Sequence, residues 1–137
     1  LPQRLPANRA QREGARAHLM IARILVVEDD ALLALDLAQQ LANACFEIVG
    51  PVAATPAALE LLRTRGCDAG VLDIHLGRET SEPVAKELIA RGTPFVTVTG
   101  YSGMQRPPIF ADAPLLPKPV RIDALVNALK RALGQGA

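Results

Sequence analysis

Acidic side chains follow two apolar runs of the sequence directly. The segment ILVVEDD ends in Glu28, Asp29 and Asp30, and the segment GVLDIHLG carries Asp73 immediately after four residues that include Val71 and Leu72. Carboxylates brought close together repel one another, which raises their pKa and destabilises the fold. A divalent cation removes this conflict, and oxygen ligands with room for water molecules suit Mg²⁺ or Mn²⁺. These residues therefore predict a metal site for phosphate chemistry.

A hydroxyl side chain and a cationic side chain also lie at or after the ends of apolar runs, further along the chain. Thr99 lies near the end of PFVTVTGY, and Lys118 lies within LPKPV. A carboxylate such as that of Asp73 can attack phosphorus and form an aspartyl phosphate, whose charge must then be neutralised by a metal, a hydroxyl donor and a cation. We therefore predict Asp73 as the phosphoacceptor, with Thr99 and Lys118 beside it.

From residue 22 onward, segments typical of strands alternate with segments typical of helices, and this alternation decides where the candidate side chains lie. The predicted strands cover residues 24–27, 46–49, 69–72, 95–98 and 115–116, and the predicted helices cover residues 30–44, 55–65, 81–91 and 122–133. Prolines at 107 and 108 disfavour a regular helix between residues 101 and 113. Such alternation predicts an α/β doubly wound parallel sheet with helices on both faces, and ligands of such sheets bind beyond the carboxyl ends of the strands.

Composition is typical of a single small domain. Half of the 137 residues are apolar, which is enough for one core. We predict a domain at residues 21–134, a basic N-terminal extension at residues 1–20 that is flexible or derived from upstream or expression sequence, and a tail at residues 135–137. No apolar run approaches the roughly 20 residues of a membrane span, and no secretion signal is evident, so we expect a cytoplasmic protein. Cys45 and Cys67 are expected to be buried, unpaired side chains.

The four segments quoted above, in this order and spacing, resemble the receiver domain of two-component response regulators over about residues 22–134. The resemblance implies a flavodoxin-like (βα)5 fold with strand order 2-1-3-4-5 and a fourth helix that is short or irregular here. It implies that Asp73 accepts a phosphoryl group and that Thr99 is the switch hydroxyl. It also implies that Lys118 matches the invariant lysine of the family and that the Lys118-Pro119 bond is cis. It also implies that Mg²⁺ is held by Asp29, Asp73 and the backbone carbonyl of His75, with Glu28 acting through a water molecule. Asp30 falls one residue beyond the acid pair and is expected to begin the first helix.

Two features depart from the usual receiver pattern. The switch aromatic of the family lies three residues before the lysine, where this chain has Leu115. The segment at residues 101–113 also departs from a regular fourth helix. The sequence PFVTVTGY is similar to a receiver subgroup that lacks this aromatic and works with kinases of the HWE or a related type. Tyr101 is the candidate for part of the switch in this subgroup.

The resemblance also implies the partners. They are a sensor histidine kinase, of the HWE type if the subgroup holds, or a phosphotransfer protein, together with a downstream protein target. A homodimer is compatible with the family, whereas direct DNA binding and membrane association are not expected. The chain would catalyse only its own phosphorylation and dephosphorylation and would not be an enzyme. The sequence leaves open whether the chain is a single-domain regulator or a fragment of a longer protein.

Three other functional classes remain as alternatives. A phosphatase of the haloacid dehalogenase type also forms an aspartyl phosphate, but it places a second Asp two residues after the nucleophile, where this chain has His75. A flavodoxin-like flavin module would be repelled by the three acids after the first strand. A degenerate receiver could serve as a protein-interaction module without phosphorylation.

Overall fold

A computed structural model of the protein describes residues 21–100 and 106–134. The strands are β1 (Arg23–Val27), β2 (Glu47–Val52), β3 (Ala69–Asp73), β4 (His75–Leu76), β5 (Glu79–Thr80), β6 (Phe95–Thr99) and β7 (Leu115–Pro117). The α-helices are α1 (Ala31–Asn43), α2 (Thr55–Thr64), α3 (Glu82–Ala90) and α4 (Ile122–Ala132), and a 3-10 helix spans Pro108–Phe110. The candidate switch residue Tyr101 lies outside the described residues.

A five-stranded parallel sheet forms the centre of the domain. Its order is β2-β1-β3-β6-β7, which confirms the predicted order 2-1-3-4-5 once the two short strands β4 and β5 are left out of the count. The register sets Val27 of β1 opposite Leu72 of β3, and Asp73 opposite Val98 of β6. The strands therefore end at nearly the same level, and the residues that follow them share one edge of the sheet.

The core consists of two apolar layers, one on each face of the sheet. Alternate strand residues point to opposite faces, so Leu25 and Val27 pack with α2, α3 and the 3-10 helix, whereas Ile24 and Val26 pack with α1 and α4. The four strand residues from 24 to 27 are at most 1% exposed. Burial on both faces explains why this strand reads as a continuous apolar run rather than as an alternating one.

The predicted irregular fourth helix is a single 3-10 turn in the described part of the chain. Pro107 is its N-cap and Pro108 its first residue, and the absence of proline N–H groups does not disturb so short an element. Phe110 is fully buried and meets the ring of Phe95 edge to face, with ring centroids 6.4 Å apart. This aromatic contact anchors the turn to the core.

Three local features differ from the sequence expectations. The second strand does not end before Gly50 but continues to Val52 through a cis Gly50-Pro51 bond. Cys45, which has φ 71° in the turn after α1, is exposed rather than buried, and Cys67 is only partly buried. The segment after Asp73 forms an antiparallel hairpin, β4–β5, rather than a plain loop.

Candidate functional site

The carboxyl ends of β1 and β3 bring three acids together. Asp73 is the last residue of β3, and Glu28 follows β1, where its backbone N–H donates to the carbonyl of Val52 at 3.0 Å. One carboxylate oxygen each from Glu28, Asp29 and Asp73 can be chosen so that all lie within 4.8 Å of one another. Glu28 and Asp73 are buried, whereas Asp29 is exposed. The strand ends therefore do produce the predicted cluster of carboxylates.

Lys118 joins this cluster from the far end of β7. Its ammonium lies 2.8 Å from Oδ2 of Asp73 and 2.6 Å from Oε1 of Glu28. The backbone places it there, because the N–H of Lys118 donates to the carbonyl of Thr99 at 2.9 Å and the Lys118-Pro119 bond is cis, as the resemblance implies. A single cation thus bridges the two buried acids.

The ion pairs determine the protonation of the lysine. Burial alone would lower the pKa of the Lys118 ammonium, but its hydrogen bonds to Asp73 and Glu28 outweigh that effect and raise the pKa above its ordinary value. The lysine is therefore charged at neutral pH, as neutralisation of an anion at this site requires.

Backbone amides supply the remaining hydrogen bonds to the carboxylates. The N–H of His75 donates to Oδ1 of Asp73 at 3.2 Å, and the N–H of Asp30 donates to Oε2 of Glu28 at 3.2 Å. The exposed carboxylate of Asp29 accepts from the N–H of a residue distant in sequence, Gly77, at 3.0 Å. Each acid of the cluster is thus held by at least one fixed donor.

Asp30 has a different role from its two neighbours. It is the N-cap of α1, and its Oδ1 accepts from the N–H groups of Leu32 and Leu33 at 3.0 and 3.2 Å. A carboxylate in this position satisfies free amides of the first helical turn and interacts favourably with the helix dipole. The structure therefore agrees with the sequence interpretation that Asp30 begins the first helix.

A cavity of about 430 Å³ opens over the acids. Its lining consists of the residues Asp29, Asp30, Leu33, Asp73, His75, Gly77, Gly100 and Lys118. Thr99, the last residue of β6, is partly buried between the strands that carry Asp73 and Lys118. Four of the predicted site residues thus line one opening, namely Asp29, Asp73, His75 and Lys118, with Thr99 at the adjoining strand end.

The donor set fits a hard divalent cation. The cluster offers carboxylate oxygens and no sulfur, and the cavity above it leaves room for water ligands, which is the environment that Mg²⁺ prefers. Such a cation would also relieve the repulsion among the three carboxylates, two of which pair with Lys118 in the described part of the chain.

Many solved structures share this arrangement of elements. A CheY-like response regulator receiver domain from Methanospirillum hungatei JF-1 has a TM-score of 0.74 and 25% identity, and the match covers 85% of this chain and 96% of that one. The chain is also similar to SdrG from Sphingomonas melonis Fr1, with a TM-score of 0.72 and 40% identity over 82% of this chain and 96% of that one. The chain belongs to the receiver domains of response regulators.

A curated relative also matches most of the chain. The receiver domain is 31% identical over 117 residues to the transcriptional regulatory protein PdtaR of Mycobacterium tuberculosis, and this match covers 82% of the chain but 57% of the relative's length. No protein-family model matches the chain. Receiver domains are typically signalling modules. Among the described residues, no helix is both long and apolar enough to cross a membrane.

Sequence reasoning missed Gly77, whose N–H donates to Asp29 in the site. The sequence carries only a partial signal: glycine is favoured where a two-residue turn needs positive φ, and Gly77 and Arg78 form such a turn between the two paired segments. Gly77 has φ 65°. Strands of two residues carry no periodicity, however, so the pairing could not be recognised from the sequence pattern.

Proposed function

We propose that this receiver domain accepts a phosphoryl group on Asp73 from a phosphohistidine of a sensor histidine kinase or phosphotransfer protein, in a reaction that requires Mg²⁺ or Mn²⁺. The observation that carries the proposal is the position of the Lys118 ammonium, within 2.8 Å of Asp73 and 2.6 Å of Glu28. A buried acid paired with a fixed cation below an open cavity is suited to receive and neutralise a phosphoryl group.

The transfer is a substitution at phosphorus. A carboxylate oxygen of Asp73 forms the new P–O bond while the P–N bond of the donor breaks, and the leaving imidazole nitrogen keeps the electron pair of that bond. The bound cation would screen the negative charge of the phosphoryl oxygens. Asp29, Asp73 and the backbone carbonyl of His75 are proposed to hold it, with Glu28 acting through a water molecule. Lys118 keeps its charge and binds a phosphoryl oxygen of the product.

A macromolecular donor is supported by the surface beside the cavity. Leu32, Leu33 and Leu35 near the start of α1 are 79%, 40% and 62% exposed, and Leu33 lines the cavity itself. Exposed apolar side chains grouped around a polar site are typical of protein-binding surfaces. A kinase of the HWE or a related type remains our proposal for the partner, on the basis of the PFVTVTGY segment.

We propose that Thr99 moves toward the phosphoryl group and thereby shifts an existing equilibrium between inactive and active states. The affected surface would be formed by the 3-10 helix, β7 and α4. Leu115, at the start of β7, has no aromatic ring, so a ring flip at this position cannot transmit the change. Tyr101 is proposed to carry part of the switch. A downstream protein, or a second copy of the chain, would read this surface in the cytoplasm, without direct contact to DNA.

The domain is proposed to span residues 21–134 and to turn over no external substrate, so that hydrolysis of its own aspartyl phosphate ends the signal. The phosphatase alternative is disfavoured, because the position of its acid–base Asp is occupied by His75, whose backbone N–H donates to Asp73.

Incubation with acetyl phosphate and Mg²⁺ tests the proposal. We expect the intact mass to show one phosphoryl group per chain. When EDTA is added before the donor, we expect no phosphoryl group. Catalytic turnover of the donor without a labelled protein, or no label at all, would contradict it.

A further inference from the structure

The tip of the β4–β5 hairpin contacts the acidic cluster. The hairpin pairs His75 with Thr80 and Leu76 with Glu79, and its turn directs the N–H of Gly77 at Oδ2 of Asp29, 3.0 Å away. The two residues are 48 positions apart in sequence. The contact therefore links the loop after β1 to the segment after β3.

This contact differs from the other amide bonds of the cluster. The donors to Asp73 and Glu28 each lie two residues from their acceptor, so those bonds are part of local turns. Asp29 is the exposed member of the cluster and has no such local donor among the bonds described above. An exposed carboxylate beside two other carboxylates is expected to rotate toward water, because like charges repel one another and side-chain freedom favours it. The amide of Gly77 opposes that rotation.

The base of the hairpin is anchored firmly enough for its tip to act as a fixed donor. Leu76 is 6% exposed and packs in the apolar layer of α2 and α3. The N–H of Ser81 donates to the carbonyl of Ile74 at 2.9 Å, which closes the base, and the hydroxyl of Thr55 at the start of α2 donates to the carbonyl of Thr80 at 3.4 Å. The amide therefore has a position set by the core and not by the site.

We propose that Gly77 is a positioning residue, whose backbone N–H holds one oxygen of Asp29 so that the other remains directed at the divalent cation. This inference rests on the metal site of the proposed function. Hydrogen bonds to ligating carboxylates fix their orientation, and their loss commonly weakens metal binding by about 10- to 100-fold. Glycine is needed for the geometry, because φ 65° is strained for other residues although a Cβ at this position would meet no atom within 4 Å.

The test replaces one N–H group by an ester oxygen. Glycolic acid is incorporated at position 77 by semisynthesis, which removes the donor and keeps the backbone freedom of glycine. The matched control carries glycolic acid at position 92. Gly92 has φ 68°, also has no atom within 4 Å of a Cβ position, and donates its N–H to the carbonyl of Ile89 at 3.0 Å, away from the site. Mg²⁺ affinity is measured by calorimetry, and the free energy of unfolding is measured in EDTA.

We expect the ester at 77 to weaken Mg²⁺ binding about tenfold and the ester at 92 to leave it unchanged, with both esters unfolding cooperatively. Equal Mg²⁺ affinities for the ester at 77 and the native chain would overturn the positioning role while leaving the proposed function intact. A native chain that binds no Mg²⁺ would overturn both. If the native chain binds Mg²⁺ and the ester at 77 binds it weakly, but acetyl phosphate labels neither, the positioning role stands and the phosphoacceptor function fails.

Discussion

The ammonium of Lys118 lies 2.8 Å from Oδ2 of Asp73, although the strands β7 and β3 that carry the two residues are not neighbours in the sheet. Strand β6 lies between them, and the lysine side chain crosses its end at Gly100, where a Cβ would lie 3.5 Å from Cδ of Lys118. Thr99, the last residue of β6, is joined to the lysine through its backbone carbonyl, which accepts from the N–H of Lys118 at 2.9 Å. A negative charge added to Asp73 would therefore act directly on Lys118, which connects the ends of β3, β6 and β7.

Removal of the lysine should separate phosphoryl binding from its consequences. We expect Lys118→Ala to leave Mg²⁺ binding largely intact, because the lysine contributes no oxygen ligand, and to abolish the change at β7 and α4 that follows phosphorylation. Hydrogen exchange of residues 115–132 with and without acetyl phosphate measures that change. Lys130→Ala, an exposed lysine on α4, is the control and should respond like the native chain. A normal phosphorylation-dependent response in Lys118→Ala would contradict the role.

The ion pair also predicts a pH dependence of stability. The pKa of Lys118 is raised in the folded protein, so its charged form contributes stability that is fully present below the unfolded value of about 10.4 and is lost as pH rises through the folded value. In EDTA, we expect Lys118→Met to cost about 3 kcal/mol at pH 7, because two buried acids lose their counter-ion. The difference from the native chain should stay constant to about pH 9 and shrink above about pH 10.4. Denaturant unfolding across this range measures it, and a difference that shrinks between pH 7 and 9 would be incompatible with this pKa.

The sequence predicted the fold and the convergence of the site for one physical reason. In a parallel sheet, residues that end successive strands must share an edge, so the places of Asp73, Thr99 and Lys118 follow from strand assignment alone. The hairpin at residues 75–80 and its bond to Asp29 could not be predicted, because strands of two residues leave no pattern. The continuation of β2 past Gly50 was missed because Gly-Pro is normally a signal for a turn.

Adjacent acids should differ sharply in their effect on metal binding. We expect Asp29→Asn to weaken Mg²⁺ binding by at least about tenfold, because a charged oxygen ligand is lost. Asp30→Asn should bind Mg²⁺ nearly as the native chain does, because asparagine still caps α1 and Asp30, although it lines the cavity, is not one of the three clustered acids. Calorimetric titration of the two variants checks this, and equal losses would show that only net charge matters at this edge.

Two threonines of β6 should separate stability from switching. Thr97 is fully buried, and its hydroxyl donates to the carbonyl of Pro114 at 2.8 Å, so Thr97→Val should cost about 1 kcal/mol of unfolding free energy and preserve the response to phosphorylation. Thr99→Ala should accept the phosphoryl group at Asp73 but fail to alter hydrogen exchange in β7 and α4. The assignment of Thr99 as the switch hydroxyl would not survive a native-like response in Thr99→Ala.

Chemical identification of the phosphorylated residue tests the central claim most directly. The protein is treated with acetyl phosphate and Mg²⁺, then with sodium borohydride, which reduces an aspartyl phosphate to homoserine, and the digested peptides are sequenced by mass spectrometry. We predict homoserine at position 73, in the native chain and in Asp36→Asn, an exposed acid of α1, and no homoserine in Asp73→Asn with its fold unchanged. Homoserine at another acid of the native chain, or a phosphoryl label retained in full by Asp73→Asn, would contradict the account.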